Sequence, residues 1–588
     1  MKPSEWNLCE LVPCLEAIDT FLKQLEEHVA KAQDFKDRLN HQLSARELEL
    51  LLQHSEHAAE IMSRLGGYAQ LLSASHTNDD AARALASRLS RISAAANNRL
   101  IFIIHWWKEV DEAYAKDMMK QLPRYKHYLF EIRRAKQHIL SEQEERIINL
   151  KDVTGKEALL KQYELQTSTY RFKVRIKQRT KTFLDTQMHA LITDKNPKVR
   201  SAAYKSLHTV YEQHQNELGD IYRSRVIDWS QENIDLRHYA NHIAVRNFSN
   251  DIPDDAIQTM LEVIKKRRNI FSDYFLQKAK LLGIKKMSRD HIYAPLTMKK
   301  QHIPFDTGVK MVLNAFEQFS PTIKNLAQNV ITTNHLDSQV REHKEGGAFC
   351  STPLPSMVPF VLQSYNNEWN DVSTLAHELG HAIHSQLARN HSIFVAHAPM
   401  PLAETASIFG EILLEKSYKK RLTSPHTQAC LIAKRLEGLY AAICRQAYFV
   451  LFEIQAHDLI NSGATVQELC DAYYENLQSQ FGPKIEIPKH FAYEWLRIPH
   501  FFQYPFYVYS YSFGNLLVLA LYKQYEEKGE SFIPNYIKLL SYGGSERPAK
   551  MLSEIGIDIC NKQFWNSGFD VIQNMVEEFN RFKNTKSG

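Results

Sequence analysis

Two histidines four residues apart with a glutamate between them, His377-Glu378-Leu379-Gly380-His381, are the part of this sequence best suited to chemistry. On a helix, positions four apart lie on one face about a turn from each other, so both imidazoles can grip one ion. Imidazole nitrogen is a good ligand for Zn²⁺, and the intervening carboxylate can activate a water that the metal has acidified. Five residues are a short pattern in a chain with 26 histidines. The plain alternative is a helix with two structural or solvated histidines. A catalytic zinc site needs three protein ligands and one open position, so another segment has to supply the third.

The metzincin spacing would place that ligand at 387, where this chain has Leu387, with His384 three residues earlier. Downstream stands Pro401-Leu402-Ala403-Glu404-Thr405-Ala406-Ser407, followed by Glu411. Pro401 predicts a helix start, with Glu404 in the first turn and Glu411 two turns later on the same face. An acid on an apolar helical face needs a partner if it is buried. A metal for Glu404, and a hydrogen bond from a ligand imidazole for Glu411, would provide both. The alternative is two surface carboxylates near a helix start, favoured by the helix dipole. A third group lies in Trp495-Leu496-Arg497-Ile498-Pro499-His500 and the aromatic run to Tyr511. Pro505 predicts a helix start there, leaving His500 and Tyr504 in the lead-in loop. Tyr507 and Tyr511 then share a face and Tyr509 points elsewhere. Imidazole and phenol groups can donate to the oxyanion of an acyl-transfer reaction; an aromatic core patch is the alternative.

The elements that must position these groups are mostly helices. Only 20 Gly and 20 Pro in 588 residues fall well below the usual shares of about 7% and 5%, which leaves few tight turns. Leu22, Leu25, Val29 and Ala32 recur at helical spacing, as do Leu48, Leu51, Leu52 and Ile61. Asn196-Pro197 is a helix start, and Asp251-Ile252-Pro253-Asp254-Asp255 repeats the signal. For the H-E-x-x-H helix, Asn370-Asp371 and Ser373 are the expected caps, and Leu375, Leu379, Ile383 and Leu387 form its apolar stripe. Between about 285 and 365 the texture changes: prolines cluster, and Ala348-Phe349-Cys350-Ser351 and residues 359–365 read as two short strands. A strand edge beside a zinc helix can pair with the backbone of an extended peptide, although a purely structural hairpin fits as well. Cys350 reads as packing.

Composition excludes several classes. A net charge of +5 is small for this length and does not suggest nucleic acid, and the run Lys265–Arg268 reads as a solvated helix end. Seven cysteines without a C-x-x-C pair indicate neither a disulfide framework nor a thiolate metal site. No stretch reaches the 18 apolar residues of a membrane helix; residues 100–107 are too short. The N-terminus lacks an export signal. The expectation is a cytoplasmic protein with no membrane and no nucleic-acid partner.

Taken together and in order, residues 377–385, 401–407 with Glu411, 495–501, 506–514, Gly543-Gly544-Ser545 and 556–559, with the opening Trp6–Leu11, resemble the M3 metallopeptidase family, most closely its oligoendopeptidase F branch. The resemblance spans essentially the whole chain. It implies a mainly α, large two-lobed helical ellipsoid with a deep substrate cleft and a small β-sheet near the zinc site. Residues 1–200 would form part of the cleft wall and 201–588 the catalytic region. It also implies one Zn²⁺ per chain held by His377, His381 and Glu404, with Glu378 as general base. His500, Tyr504 and Tyr511 would stabilise the oxyanion or the peptide, and the strand at Gly347, Ala348 and Phe349 would hold the substrate backbone, with Tyr507 nearby. The implied activity is zinc-dependent endopeptidase hydrolysis of short unstructured peptides through a metal-activated water. A helical metallocarboxypeptidase with the same core, or a non-catalytic helical scaffold, are the alternatives. The oligomeric state is left open, with a monomer compatible. Where the thimet-oligopeptidase branch has glycines between the His and the first Tyr of the last motif, this chain has Phe501-Phe502-Gln503, which implies a less mobile loop.

Overall fold

Scarce breakers and regular apolar spacing produce a chain that is 71% helical with a few small sheets, as expected for the mainly α class. The computed structural model describes residues 2–39, 43–177, 179–296 and 301–582. They fall into two compact units, each assembled from three stretches: residues 1–137, 300–421 and 524–557 in the first, residues 138–299, 422–523 and 558–588 in the second. Both units therefore draw on sequence before and after residue 200.

In the first unit, helices Glu16–Gln33, Ala45–Ser75 and Asp80–Glu109 pack together through the stripe read from the sequence. Leu25, Val29, Leu48, Leu51 and Leu52 are buried in one core with Trp107. Ser44 and Glu47 form a capping box at the start of the second helix, satisfying N–H groups that the helix itself leaves unpaired. A three-stranded sheet completes this unit: β3 (Leu336–Asp337), β4 (Ala348–Ser351) and β5 (Phe360–Gln363), in the order β3-β5-β4. The second unit carries a separate hairpin, β1 (Phe172–Ile176) with β2 (Arg179–Phe183). The two strands expected beside the metal helix are thus present. They pair antiparallel, Phe349 opposite Leu362 and Cys350 opposite Val361. β5 is central and fully buried, whereas β4 is an edge strand of half-buried residues. The N-terminal segment braces the sheet: Trp6 lies 6.2 Å from Phe349 and 6.1 Å from Phe360, ring to ring. Asp337 of β3 is fully buried and paired with Lys344 at 2.8 Å and Arg341 at 2.7 Å.

The second unit has an aromatic core in which Tyr222, Phe452, Trp495, Phe501 and Phe502 interlock. Helix Pro197–Gln213 begins where expected, with the Asn196 side chain accepting from Lys198 N. Helix Asp254–Arg267 ends on the basic run, but Asp251 does not cap it; Pro253 holds that position and no side chain does the capping. A π-helical turn, Gln231–Leu236, closes the helix Gln215–Ser230, and another, Tyr440–Arg445, lies between helices Pro425–Leu439 and Gln446–Asn461.

Candidate active site

The histidine pair sits on helix Trp369–Leu387, which starts earlier than the caps at Asn370, Asp371 and Ser373 would have it. Glu368 takes the N-cap position, and Asp371 reaches back to accept from Glu368 N at 2.8 Å and Asn366 N at 2.9 Å. A first-turn carboxylate can satisfy these unpaired donors as well as a cap residue can, so a string of Asn, Asp and Ser leaves the starting residue undetermined. Leu375, Leu379 and Ile383 are buried as the stripe requires, and the helix is packed against β4, β5 and helices Phe305–Phe319, Pro321–Thr332, Thr405–Lys419 and Ile533–Ser541.

On the remaining face, His377 Nε2 and His381 Nε2 are 3.2 Å apart. Glu404 Oε2 lies 3.3 Å from the first and 3.5 Å from the second. Four ligands at the 2.0–2.1 Å of zinc–nitrogen and zinc–oxygen bonds form a tetrahedron whose edges are about 3.3–3.4 Å. The three side chains therefore already describe one face of such a tetrahedron, with the fourth vertex left for another ligand. Glu411 Oε1 is 2.6 Å from the other nitrogen of His377, Nδ1. A carboxylate can only accept here, so Nδ1 carries the hydrogen and Nε2 presents its lone pair toward Glu404 and His381. The ring of His381 is hydrogen bonded to the backbone of Ala403. Two nitrogens, on rings held by Glu411 and by the Ala403 backbone, and one oxygen fit a zinc ion.

Pro401 does start a helix, but a short one, Met400–Ala403; Glu404 is the joint between it and helix Thr405–Lys419 rather than part of a first turn. Ser407 Oγ donates to Glu404 Oε2 at 2.6 Å and fixes the carboxylate. Ser407 lies outside the expected set, as does Gly380, the variable residue inside the motif. A Cβ on Gly380 would come within 2.5 Å of Ser407 Cα and 2.6 Å of the Ala406 carbonyl oxygen. Only a glycine lets the histidine helix approach the helix that follows Glu404 this closely, and a glycine inside a helix is itself a signal that something packs against it. Gly380→Ala is expected to destabilise the first unit by about 1–3 kcal/mol through overpacking, visible as a lower denaturation midpoint; an unchanged midpoint would contradict the packing.

Glu378 is 6% exposed. Burial pushes its carboxyl up to about 7; Glu404 and Glu411 act in the same direction and His377 opposes them. It lines a cavity of about 430 Å³ together with both histidines, Glu404 and the β4 residues Ala348 and Phe349. Cys350 also borders it, its thiol pushed up by burial first and then by Glu378. Gly347, just before β4, has φ +85°, a conformation glycine adopts readily. The rest of the lining includes His384, Ser385, Ala396 and His397, none of them expected as a site residue. Gly543 and Gly544 explain how that part of the lining is held. Gly544 N donates to Val395 O at 2.9 Å, and a Cβ there would meet His397 O at 2.2 Å.

His500, Tyr504, Tyr507 and Tyr511 belong to the other unit, and they are gathered there. His500 is 6.2 Å from Tyr507 and 6.3 Å from Tyr511 between ring centres, and Tyr504 is 6.0 Å from Tyr507. Their elements differ from the expected ones. His500 lies in a short helix, Pro499–Gln503, not in a lead-in loop, and the next helix begins at Tyr509, not Pro505. Phe501 and Phe502 anchor the short helix in the aromatic core, which is why no loop forms. The reversal between the helices passes through Phe506 at φ +58°, a costly conformation for a bulky residue. Phe506 N is held by Glu453 Oε1 at 2.9 Å. Tyr509 points away and is fully buried, its hydroxyl accepting from Asn250 at 2.8 Å. Burial, and then Arg445, lower the pKa of His500.

Residues 190–571 match the family model described as peptidase family M3, and residues 106–172 match that described as oligopeptidase F. Oligopeptidase PepF of Bacillus subtilis is 23% identical over 589 residues, covering 97% of this chain and 86% of its own. An oligoendopeptidase F homolog of Borreliella burgdorferi is 26% identical over 476 residues, 76% of each chain. Among solved structures, one from Chlamydophila abortus superposes with a TM-score of 0.90 at 21% identity, covering 98% of each chain. Oligoendopeptidase-F from Enterococcus faecium gives 0.70 at 20% identity over 96% of this chain and 99% of its own. At these identities the structural likeness speaks for the fold.

Proposed function

The chain belongs to peptidase family M3 and is an oligopeptide-hydrolysing metallopeptidase, and we propose that it is a zinc endopeptidase acting on short, unstructured peptides. The observation that carries the proposal is the triangle of His377 Nε2, His381 Nε2 and Glu404 Oε2, with edges of 3.2, 3.3 and 3.5 Å. These three residues would hold the ion, with Glu411 fixing the His377 ring. When bound, Zn²⁺ supplies Lewis acidity, polarising a carbonyl and bringing the pKa of a water toward about 7.

The chain's own groups do the rest. Glu378, buried at the cavity wall, accepts the proton of the attacking water and returns it to the departing amine nitrogen. The edge strand β4 offers backbone N–H and C=O groups to an extended peptide at Ala348 and Phe349, which favours a substrate without structure of its own. His500, Tyr504 and Tyr511, with Tyr507 beside them, donate hydrogen bonds to the oxyanion or to the substrate backbone. The seven free cysteines suit a reducing, cytoplasmic setting, and no described helix is long and apolar enough to cross a membrane.

The test combines metal analysis with product mapping. A chelator is expected to abolish cleavage of a quenched fluorescent peptide, and zinc to restore it. Mass spectrometry of a C-terminally blocked peptide should show internal cuts. Release of single C-terminal residues from the unblocked form alone would favour the metallocarboxypeptidase instead. His381→Ala is expected to purify without stoichiometric zinc; full occupancy in that variant would refute the ligand assignment.

A further inference from the structure

The second unit contains a cavity of about 520 Å³ lined by Tyr163, Arg445, Gln446, Glu494, Arg497 and His500. Three guanidinium groups meet two carboxylates around it. Arg497 is paired with Asp185 through Nε at 3.1 Å and Nη2 at 3.3 Å. Arg289 and Arg445 instead share a single oxygen of Glu494, at 2.9 and 3.2 Å, and Tyr473 occupies the other oxygen at 3.0 Å. One positive charge is left in excess. Among the described residues, the one further acid on the lining is Glu164, which is exposed and accepts from Gln503 at 2.9 Å. Arg445 Nε and Gln446 Oε1 are buried without a hydrogen-bond partner, as are Arg289 Nε and Nη1.

Arg289 is 1% exposed, whereas the Arg445 side chain is 27% exposed and borders the cavity. The excess charge is therefore accessible through Arg445. That residue closes the π-helical turn Tyr440–Arg445, inserted between helices Pro425–Leu439 and Gln446–Asn461. Such turns are rare and are frequent at functional sites; here one sets Arg445 and Gln446 side by side on the lining. The exposed part of this planar guanidinium matches a carboxylate, whereas Arg445 Nε and Gln446 Oε1 are enclosed and do not face the cavity. We infer that this cavity binds a carboxylate of the peptide substrate next to His500, through Arg445. The inference rests on the oligopeptidase reading, since it assigns a binding determinant to that same reaction.

Three fluorescent peptides of one sequence test it on the wild-type holoenzyme: one with a free C-terminal acid, one with a C-terminal amide, and an amide ending in an added Glu. The free acid is expected to exceed the plain amide in kcat/KM by about 10- to 100-fold, the range of a hydrogen-bonded charge, with the difference carried by KM. Arg445→Lys should bring that ratio toward one. If the Glu-terminated amide alone regains the advantage, the bound carboxylate is that of a side chain. Equal kcat/KM for all three peptides in the wild type overturns the inference whether or not the variant folds, and so does an undiminished ratio in Arg445→Lys. Chelator-sensitive cleavage of the plain amide leaves the metallopeptidase reading standing in either case.

Discussion

Glu378→Gln is expected to keep stoichiometric zinc and to lose about 10²–10⁴-fold in turnover, the range contributed by a positioned general base. The amide matches the carboxylate in volume and can still accept a hydrogen bond, but it cannot take a proton at neutral pH. The metal ligands are His377, His381 and Glu404 in this reading, so the substitution leaves the triangle of donor atoms untouched. The site also tolerates a neutral group: Glu378 is buried, and its carboxyl is already pushed up to about 7 by that burial and by the nearby carboxylates. Folding is thus expected to be preserved. The measurement is zinc content by elemental analysis alongside cleavage of a quenched peptide. Near-normal turnover with bound zinc would sink the assignment of Glu378 as base.

Glu494→Gln is expected to be the most destabilising single change in the second unit. Burial by itself would raise the Glu494 pKa, but Arg289 and Arg445, followed by His208 and Tyr473, hold it at about 2. Removing its charge leaves Arg289 buried and Arg445 half-buried with no carboxylate. Breaking a buried pair in this way typically costs about 3–5 kcal/mol. The sign with pH follows from the depressed value. The unfolded carboxyl titrates in the ordinary Glu range, near 4.5, so the stabilisation is fully present above that range. It is lost as pH falls toward about 2. Urea denaturation at pH 7 and at pH 3 separates the two proteins. The variant should be much weaker at pH 7 and should lose less than the wild type on acidification. Equal midpoints at pH 7 would show that the arginines find other partners.

The metal helix illustrates which features are legible in a sequence. Two histidines at i and i+4 share a helical face by covalent geometry alone, and the short run 348–351 bounded by Gly347 and Thr352 reads as a strand without reference to the rest of the chain. The helical class follows in the same way from apolar spacing and scarce glycine. Boundaries were less legible. Asp371 caps from inside the first turn, and the buried rings of Phe501 and Phe502 convert an expected loop into the short helix Pro499–Gln503. In each case a contact from elsewhere overrides a local preference.

The sequence by itself determined the residue types for chemistry, their local faces and the helical class, because these depend on neighbours within a turn or two of chain. Only the tertiary structure decided that Glu404 Oε2 closes a triangle with both histidines, that Glu411 takes the opposite nitrogen of His377, and that Gly380 is the contact that lets the histidine helix meet the helix that follows Glu404. It likewise decided that Tyr507 and Tyr511 cluster with His500 while Tyr509 is buried, and that Arg289 and Arg445, 156 positions apart, lean on one carboxylate. Such meetings depend on how segments remote in sequence pack against one another, and helical periodicity carries no information about that.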